Sequence, residues 1–228
     1  VVLEVSAQAL TRNRVDGLVF DVVGFLNLSH DHLDDYADME TYFAAKLPLF
    51  EPDRARRGVV SLDTEWGQRV VDASRIPITT VSSTPGVDAA WTVTILQERA
   101  EYTEFELTPP EGQSITTRVP VIGRHMAANA GLAIAMLVEA GFELEAIAHA
   151  LDQDGGIKAF IPGRIERVSG PSGPAVYVDY GHSPDAFLTT MDAVRRFTTG
   201  RLIMVFGADG DRDASKRLDM GRIGSEGS

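Results

Sequence analysis

The chain contains no cysteine. That excludes a disulfide framework, a thiol nucleophile and zinc–thiolate or iron–sulfur centres, and it fits a reducing compartment. Long apolar runs are missing too. The most apolar stretch, Ala130–Val138, is ended by Glu139 and falls well short of the roughly 18 residues that suggest a membrane span. No basic segment leads into an apolar core near the start, so no secretory signal is read there. Basic charge is scarce. Lys and Arg total 21 against 33 Asp and Glu, a formal charge of -12, which lacks the footprint of a nucleic-acid or anionic-membrane binder. The dipeptide Gly-Lys never occurs, so the chain carries no phosphate-cradling Gly-x-x-x-x-Gly-Lys-Ser/Thr loop, and Gly-x-Gly-x-x-Gly is absent as well. There is no internal repeat and no low-complexity tract.

What remains is ordinary globular material: 228 residues, 44% hydrophobic and 24% charged, which bounds the chain at one large domain or two small ones. Val1–Val5, Val22–Leu28, Val59–Leu62 and Ile78–Val81 read as buried strands. They alternate with helical patterns at Met39–Leu47 and Trp66–Ser74, which predicts an α/β sheet covered on both faces. Ala90–Gln97, Tyr102–Leu107 and Ile115–Val121 change to a partly alternating period and predict an antiparallel meander attached to that sheet. Gly123–Gly141 and Phe142–Leu151 read as helices, and the glycine- and proline-bearing Asp152–Gly163 as a linker. Beyond it, strands at Arg164–Val168, Ala175–Asp179 and Leu202–Phe206 flank a helix at Pro184–Phe197. The expected domains are 1–162 and 163–228. Both ends read as cuts through a longer protein.

Polar groups cluster where strands end. Asn27-Leu28-Ser29-His30-Asp31-His32-Leu33-Asp34-Asp35 follows directly on an apolar run, with nitrogen and oxygen donors suited to a divalent cation or a phosphate contact. Glu4 closes the run Val1–Val5, where a carboxylate is expensive to bury unless it is paired or on a metal. Lys46 lies beside the apolar stripe of Met39, Tyr42, Phe43 and Leu47. Asp179 and His182 sit where a strand gives way to a helix that Ser183 can cap. Gly207–Asp213 follows another apolar run, and Arg212, with Lys216 and Arg217, suits a carboxylate or phosphate. Each of these also has a plainer reading as a solvated loop or a helix cap.

Taken in order, the segments resemble the Mur ligases of peptidoglycan synthesis, and most closely the branch that adds the third residue to UDP-N-acetylmuramoyl-L-alanyl-D-glutamate. The resemblance rests on Glu4-Val5-Ser6-Ala7-Gln8, Asn27-Leu28-Ser29-His30-Asp31-His32-Leu33-Asp34 and Asp38-Met39-Glu40-Thr41-Tyr42-Phe43-Ala44-Ala45-Lys46. Pro162-Gly163-Arg164, Val178-Asp179-Tyr180-Gly181-His182-Ser183-Pro184-Asp185 and Gly210-Asp211-Arg212-Asp213-Ala214-Ser215-Lys216-Arg217 extend it across the chain. It implies an α/β fold: a Mur-ligase central-domain sheet with its meander, followed by the start of a Rossmann-like C-terminal domain.

The resemblance also implies roles. Glu4, His32 and a carbamylated Lys46 would hold Mg²⁺; Ser6 and Arg14 would bind the muropeptide. Asn129, Arg164, Asp179 and His182 would contact ATP, and Arg212 the incoming amino acid. The implied reaction is ATP-dependent amide formation through an acyl phosphate, with meso-diaminopimelate or L-lysine as the added residue. The implied partners are the UDP-N-acetylmuramoyl dipeptide, ATP and a diamino acid, in a cytoplasmic monomer. Ala7 and Gln8 depart from the family's Ser-His, His30 from an arginine, and Met126 from an asparagine, while Pro48 should end or kink the helix before it. The family's phosphate loop would lie before Val1, so the chain alone is expected to be inactive. Two other readings are weighed: a non-catalytic relative that only binds muropeptide or nucleotide, and a metallo-hydrolase built on His30, His32 and Asp34.

Overall fold

The computed structural model describes residues 1–30, 35–158, 161–170, 172–208 and 216–228. Six strands form one sheet in sequence order: β1 (Phe20–Phe25), β2 (Ala55–Ser61), β3 (Ile78–Ser82), β4 (Trp91–Glu98), β5 (Thr103–Thr108) and β6 (Ile115–Val119). β1 to β4 are parallel, and β4, β5 and β6 form the expected antiparallel meander. Because β5 reverses direction and β6 reverses it again, β6 points the same way as β1 to β4. The carboxyl ends of β1, β2, β3, β4 and β6 therefore share one edge.

Both faces of the sheet are covered, as its Val- and Ile-rich strands require. On one side pack α1 (Ala7–Thr11), α2 (Met39–Ala44), the 3₁₀ turn Leu47–Phe50 and α3 (Glu65–Ala73), around Phe25, Phe43, Phe50 and Val60. On the other, α4 (Arg124–Glu139) lies across all six strands over Val93, Phe105 and Leu107, with α5 (Leu144–Asp154) beside it. Gly131 permits the close approach of α4, since a Cβ there would fall 2.4 Å from Val93 Cγ2. Gly155 then ends α5 in a left-handed conformation, φ 68°.

Residues 163–228 contribute the short antiparallel pair β7 (Glu166–Arg167) and β8 (Tyr177–Val178), then α6 (Pro184–Arg195) and α7 (Lys216–Gly227). Ile165, Ala193 and Val194 pack on Ile122, joining this segment to the end of the meander. No helix among the described residues is long and apolar enough to cross a membrane.

Several expectations are corrected. Val1–Val5 is not a strand, and Val1, Val2 and Leu3 are exposed. An apolar run becomes a strand only when a neighbour completes its backbone ladder, and no described strand pairs with it. The strand expected at Val22–Leu28 starts and ends earlier, at Phe20–Phe25. The expected helix Met39–Leu47 stops at Ala44, and Pro48 sits in the 3₁₀ turn that follows, in keeping with a ring that cannot continue an α-helix. Leu202–Phe206 also lacks a ladder among the described residues, and Ile203 and Val205 face solvent. α7 was not foreseen because Gly221, Gly224 and Gly227 are poor helix formers. Packing of Met220 and Ile223 on Phe187 and Met191 supplies what local propensity does not.

Candidate functional site

The first group of predicted residues lies around α1 and α2. Ser6 caps α1, its hydroxyl accepting from the Ala9 N–H at 3.1 Å. Arg14 stands just past the other end of α1, exposed, its own N–H donating to the Ala9 carbonyl at 2.8 Å. α2 begins at Asp38, whose carboxylate accepts from the Thr41 N–H at 2.7 Å, and this bond holds its pKa below the usual carboxylate range. The helix is held to α3 by Arg69, which donates to both Glu40 oxygens at 2.9 and 2.5 Å and lies over the rings of Phe43 and Trp66.

Lys46 follows α2, partly buried, with Nζ 4.9 Å from the centroid of the Tyr42 ring. Tyr42 in turn stacks on Tyr36, with centroids 5.1 Å apart. Burial pushes the Lys46 amine below the ordinary lysine range, and the charge of Glu4 opposes that shift. The structure thus brings Glu4 within electrostatic reach of Lys46. His32 lies outside the described residues, as do Asp31 and Asp34. Among the described residues no group of three or more His, Asp or Glu could hold a metal ion.

The loop after β1 returns to α1 through side chains that sequence reasoning missed. The Asp35 carboxylate accepts from Gln8 Nε2 at 2.7 Å and from the Arg12 guanidinium at 3.2 Å, and the Tyr36 and Thr11 hydroxyls lie 3.4 Å apart. Asp35 read in the sequence as one more member of an acidic run.

The second group gathers where the meander meets residues 163–228. Asp179 accepts from the backbone N–H groups of Ile165 and Gly181, at 2.9 and 2.8 Å, and from the Thr190 hydroxyl at 3.2 Å. It therefore ties the Gly163–Ile165 loop to the start of α6, which Ser183 caps through the Ala186 N–H. Gly181 leaves room for this carboxylate, since a Cβ would sit 2.6 Å from Asp179 Oδ1 and displace it. The Arg164 guanidinium covers the Tyr180 ring, and His182 packs edge-on against that ring while its Nδ1 lies 3.1 Å from the Tyr180 carbonyl. Arg164, Asp179 and His182 are thus one cluster. Arg212 lies outside the described residues.

The amino end of α4 faces this cluster. Burial lowers the pKa of His125, opposed by the charge of Asp179, so the imidazole is held neutral. Asn129 is exposed one turn further along the same helical face. Beside His125 lies a cavity of about 380 Å³, also lined by Glu98, Arg124, Thr189 and Asp192. Glu98 closes β4 and accepts from Arg124 at 3.1 Å and Arg196 at 2.9 Å through one oxygen, while its other oxygen is buried without a hydrogen-bond partner among the described residues. His125 and Glu98 were not singled out in the sequence.

The arrangement therefore has polar groups of one sheet edge, from β4, β6 and the loop after β1, where open α/β sheets take their ligands. It has a carboxylate within electrostatic reach of a low-pKa amine, and a neutral histidine beside a cavity whose carboxylates, Glu98 and Asp192, are paired with Arg124 and Arg196. Residues 1–137 match the Mur ligase middle domain, and residues 163–228 match the Mur ligase glutamate ligase domain. The chain belongs to the Mur ligase family. It is 61% identical, over 225 residues, to the UDP-N-acetylmuramyl-tripeptide synthetase of Leifsonia xyli subsp. xyli, covering 99% of this chain and 44% of that protein. It is 40% identical to a UDP-N-acetylmuramoyl-L-alanyl-D-glutamate–2,6-diaminopimelate ligase of Streptomyces avermitilis, covering 97% of this chain and 43% of that protein. A solved structure of a ligase of that second description superposes with TM-score 0.71 at 27% identity, covering 99% of this chain and 46% of that chain. The chain thus spans somewhat less than half the length of the relatives it matches.

Proposed function

We propose that this chain is part of an ATP-dependent ligase that adds the third residue to UDP-N-acetylmuramoyl-L-alanyl-D-glutamate. The observation that carries the proposal is the 61% identity to a tripeptide synthetase; a partly buried Lys46 over the Tyr42 ring, within electrostatic reach of Glu4, supports it. Residues 1–162 form the central domain and 163–228 the start of the C-terminal domain. The protein works in the cytoplasm as a monomer.

A neutral lysine attacks CO2 through its Nζ lone pair. The N–C bond forms, one C=O electron pair moves to oxygen, and the nitrogen gives a proton to water. The product is an anionic oxygen ligand, and with the Glu4 carboxylate it matches the oxygen preference of Mg²⁺. His32 completes the set. When bound, the cation neutralises charge on the phosphoryl group and the reacting carboxylate.

The chain's own residues position the reactants. Ser6 and Arg14, at the two ends of α1, bind the muropeptide. Asn129, Arg164, Asp179 and His182 bind ATP, with Asp179 fixing the loop that carries Arg164. The Arg164 guanidinium lies over Tyr180, an arrangement that suits a phosphate or a base. ATP phosphorylates the D-glutamate carboxylate to an acyl phosphate; the incoming amine attacks it and phosphate leaves. Arg212 contacts the incoming amino acid, which is meso-diaminopimelate, in keeping with the 2,6-diaminopimelate of the Streptomyces avermitilis relative's name, with L-lysine the alternative. The chain alone carries no phosphate loop and does not complete the reaction.

The test is ligation by the full-length gene product and by this chain, with Mg²⁺-ATP, the UDP-dipeptide and either diamino acid. Phosphate release and tripeptide mass are read together. The proposal expects product from the full-length protein only, with one of the two amino acids. Absence of product from a folded full-length protein with both amino acids would overturn it.

A further inference from the structure

Glu98 ends β4 with its side chain only 12% exposed, and two helices share its charge. One oxygen, Oε2, accepts from Arg124, the first residue of α4, at 3.1 Å. It also accepts from Arg196, the residue that closes α6, at 2.9 Å. The other oxygen, Oε1, is buried with no partner among the described residues. Burial of a half-satisfied carboxylate costs free energy, so packing alone does not account for Glu98. Its backing is firm: it pairs across the ladder with the fully buried Thr103, whose hydroxyl donates to the Val121 carbonyl at 3.1 Å, just before α4 begins. α4 has no side-chain cap and no acidic residue in its first turn, so Arg124 stands at the positive end of the helix dipole. Glu98 supplies the missing negative charge. Arg196 also donates to Asp192 at 2.8 Å, one turn back on α6. Nearer the start of α6, the Thr190 hydroxyl donates to Asp179, which accepts from the Ile165 N–H beside Arg164. From Glu98, one path of contacts thus runs along α4 to Asn129, and another along α6 to Asp179 and Arg164.

We infer, on the reading that Asn129, Arg164, Asp179 and His182 contact ATP, that Glu98 is a positioning residue for nucleotide binding. It sets the spacing of α4 and α6, and so of the groups they carry or hold, without touching the nucleotide. Without it, Arg124 and Arg196 lose their common partner and repel each other, and the two helices move apart. Side chains that act on a binding site through such contacts change its affinity by about 2- to 30-fold.

The experiment measures Mg²⁺-ATP binding to the full-length gene product by isothermal titration calorimetry, well below the melting temperature of each variant. The variants are Glu98→Gln, Arg196→Met, the two combined, and Asn129→Ala and His182→Ala as controls. Glu98→Gln removes a negative charge and Arg196→Met a positive one. Simple electrostatics would tighten binding of the ATP anion in the first and weaken it in the second; loss of the anchor weakens both. The expected result is about fivefold weaker ATP binding in each single variant, with the combined variant no weaker than the weaker single. Affinity for the UDP-N-acetylmuramoyl dipeptide should stay unchanged. Wild-type or tighter ATP binding in Glu98→Gln, with a control weakened, overturns the inference alone. So do additive losses, or an equal loss of dipeptide affinity, which would mean general damage. A weakened Glu98→Gln beside an unchanged Arg196→Met overturns it too, because Glu98 would then touch the nucleotide itself. Wild-type protein that binds no ATP, or both controls binding it equally well, overturns the ATP contacts and the inference together. If Glu98→Gln fails to fold, Arg196→Met decides, because Arg196 is exposed: wild-type affinity there overturns the anchor.

Discussion

The Lys46 amine rests 4.9 Å from the centre of the Tyr42 ring, four residues earlier in the chain. The contact shields the amine from water on one side, and Tyr36 stacked behind Tyr42 keeps the ring in place. Two effects act on the proton. Burial disfavours the charged amine, while the charge of Glu4 favours it; burial prevails and the pKa falls.

Lys46 should therefore react as a free base at lower pH than an ordinary lysine. Labelling across a pH series with an amine-acylating reagent, followed by peptide mass spectrometry, checks this; a midpoint at the ordinary lysine value would contradict it. The sign for stability follows. Between the lowered pKa and the ordinary lysine value the unfolded chain holds the extra proton, so stability rises with pH across that window. Lys46→Met should flatten this part of the pH–melting curve.

Asp63 should follow the same sign, in the acid range. Burial alone would raise its pKa, but hydrogen bonds from Ser83, Ser82 and Thr84 outweigh that and lower it. The carboxylate joins the carboxyl end of β2 to the residues after β3, accepting from the Ser82 and Ser83 hydroxyls at 2.7 and 2.6 Å. Its stabilisation is full above the ordinary aspartate value and is lost as pH falls through the lowered one. Asp63→Ala should cost about 2 kcal/mol in denaturant unfolding and remove that acid-side dependence.

Gly67 gives a sharper steric prediction. A Cβ there would lie 1.9 Å from the Ser61 carbonyl oxygen, a backbone atom at the end of β2 that cannot step aside. Gly67→Ala should destabilise the protein by about 3 kcal/mol or more, measured by denaturant unfolding, although alanine favours helix elsewhere.

Arg69 tests geometry against charge. Arg69→Lys keeps the charge but loses both the fork onto Glu40 and the flat stack on Phe43 and Trp66. It should lower stability nearly as much as Arg69→Ala in denaturant unfolding, and the loss should persist in high salt. Full rescue by lysine would mean that the charge alone mattered.

How much of this was legible in the sequence differs by element. The parallel strands, the meander and α4 could be read because their periodicities match their burial. Val1–Val5 and Leu202–Phe206 could not, because apolar composition does not reveal whether a strand has a partner. α7 was hidden by its glycines, and only its packing on α6 explains it. At the site, Asp179 and His182 could be singled out from their place at a strand end, whereas Arg164 and the role of Lys46 came only through resemblance. Asp35, Glu98 and His125 gain their meaning from residues distant in the chain: Gln8, Arg196 and Asp179. No local pattern carries that information.

The most direct test of the central claim is carbon-13 NMR of the protein equilibrated with ¹³C-bicarbonate, comparing wild type with Lys46→Gln. The account predicts a carbamate resonance in the wild type that vanishes in Lys46→Gln while both remain folded. A wild type without that resonance at saturating bicarbonate, or one that keeps it after the substitution, would contradict the assignment of Lys46.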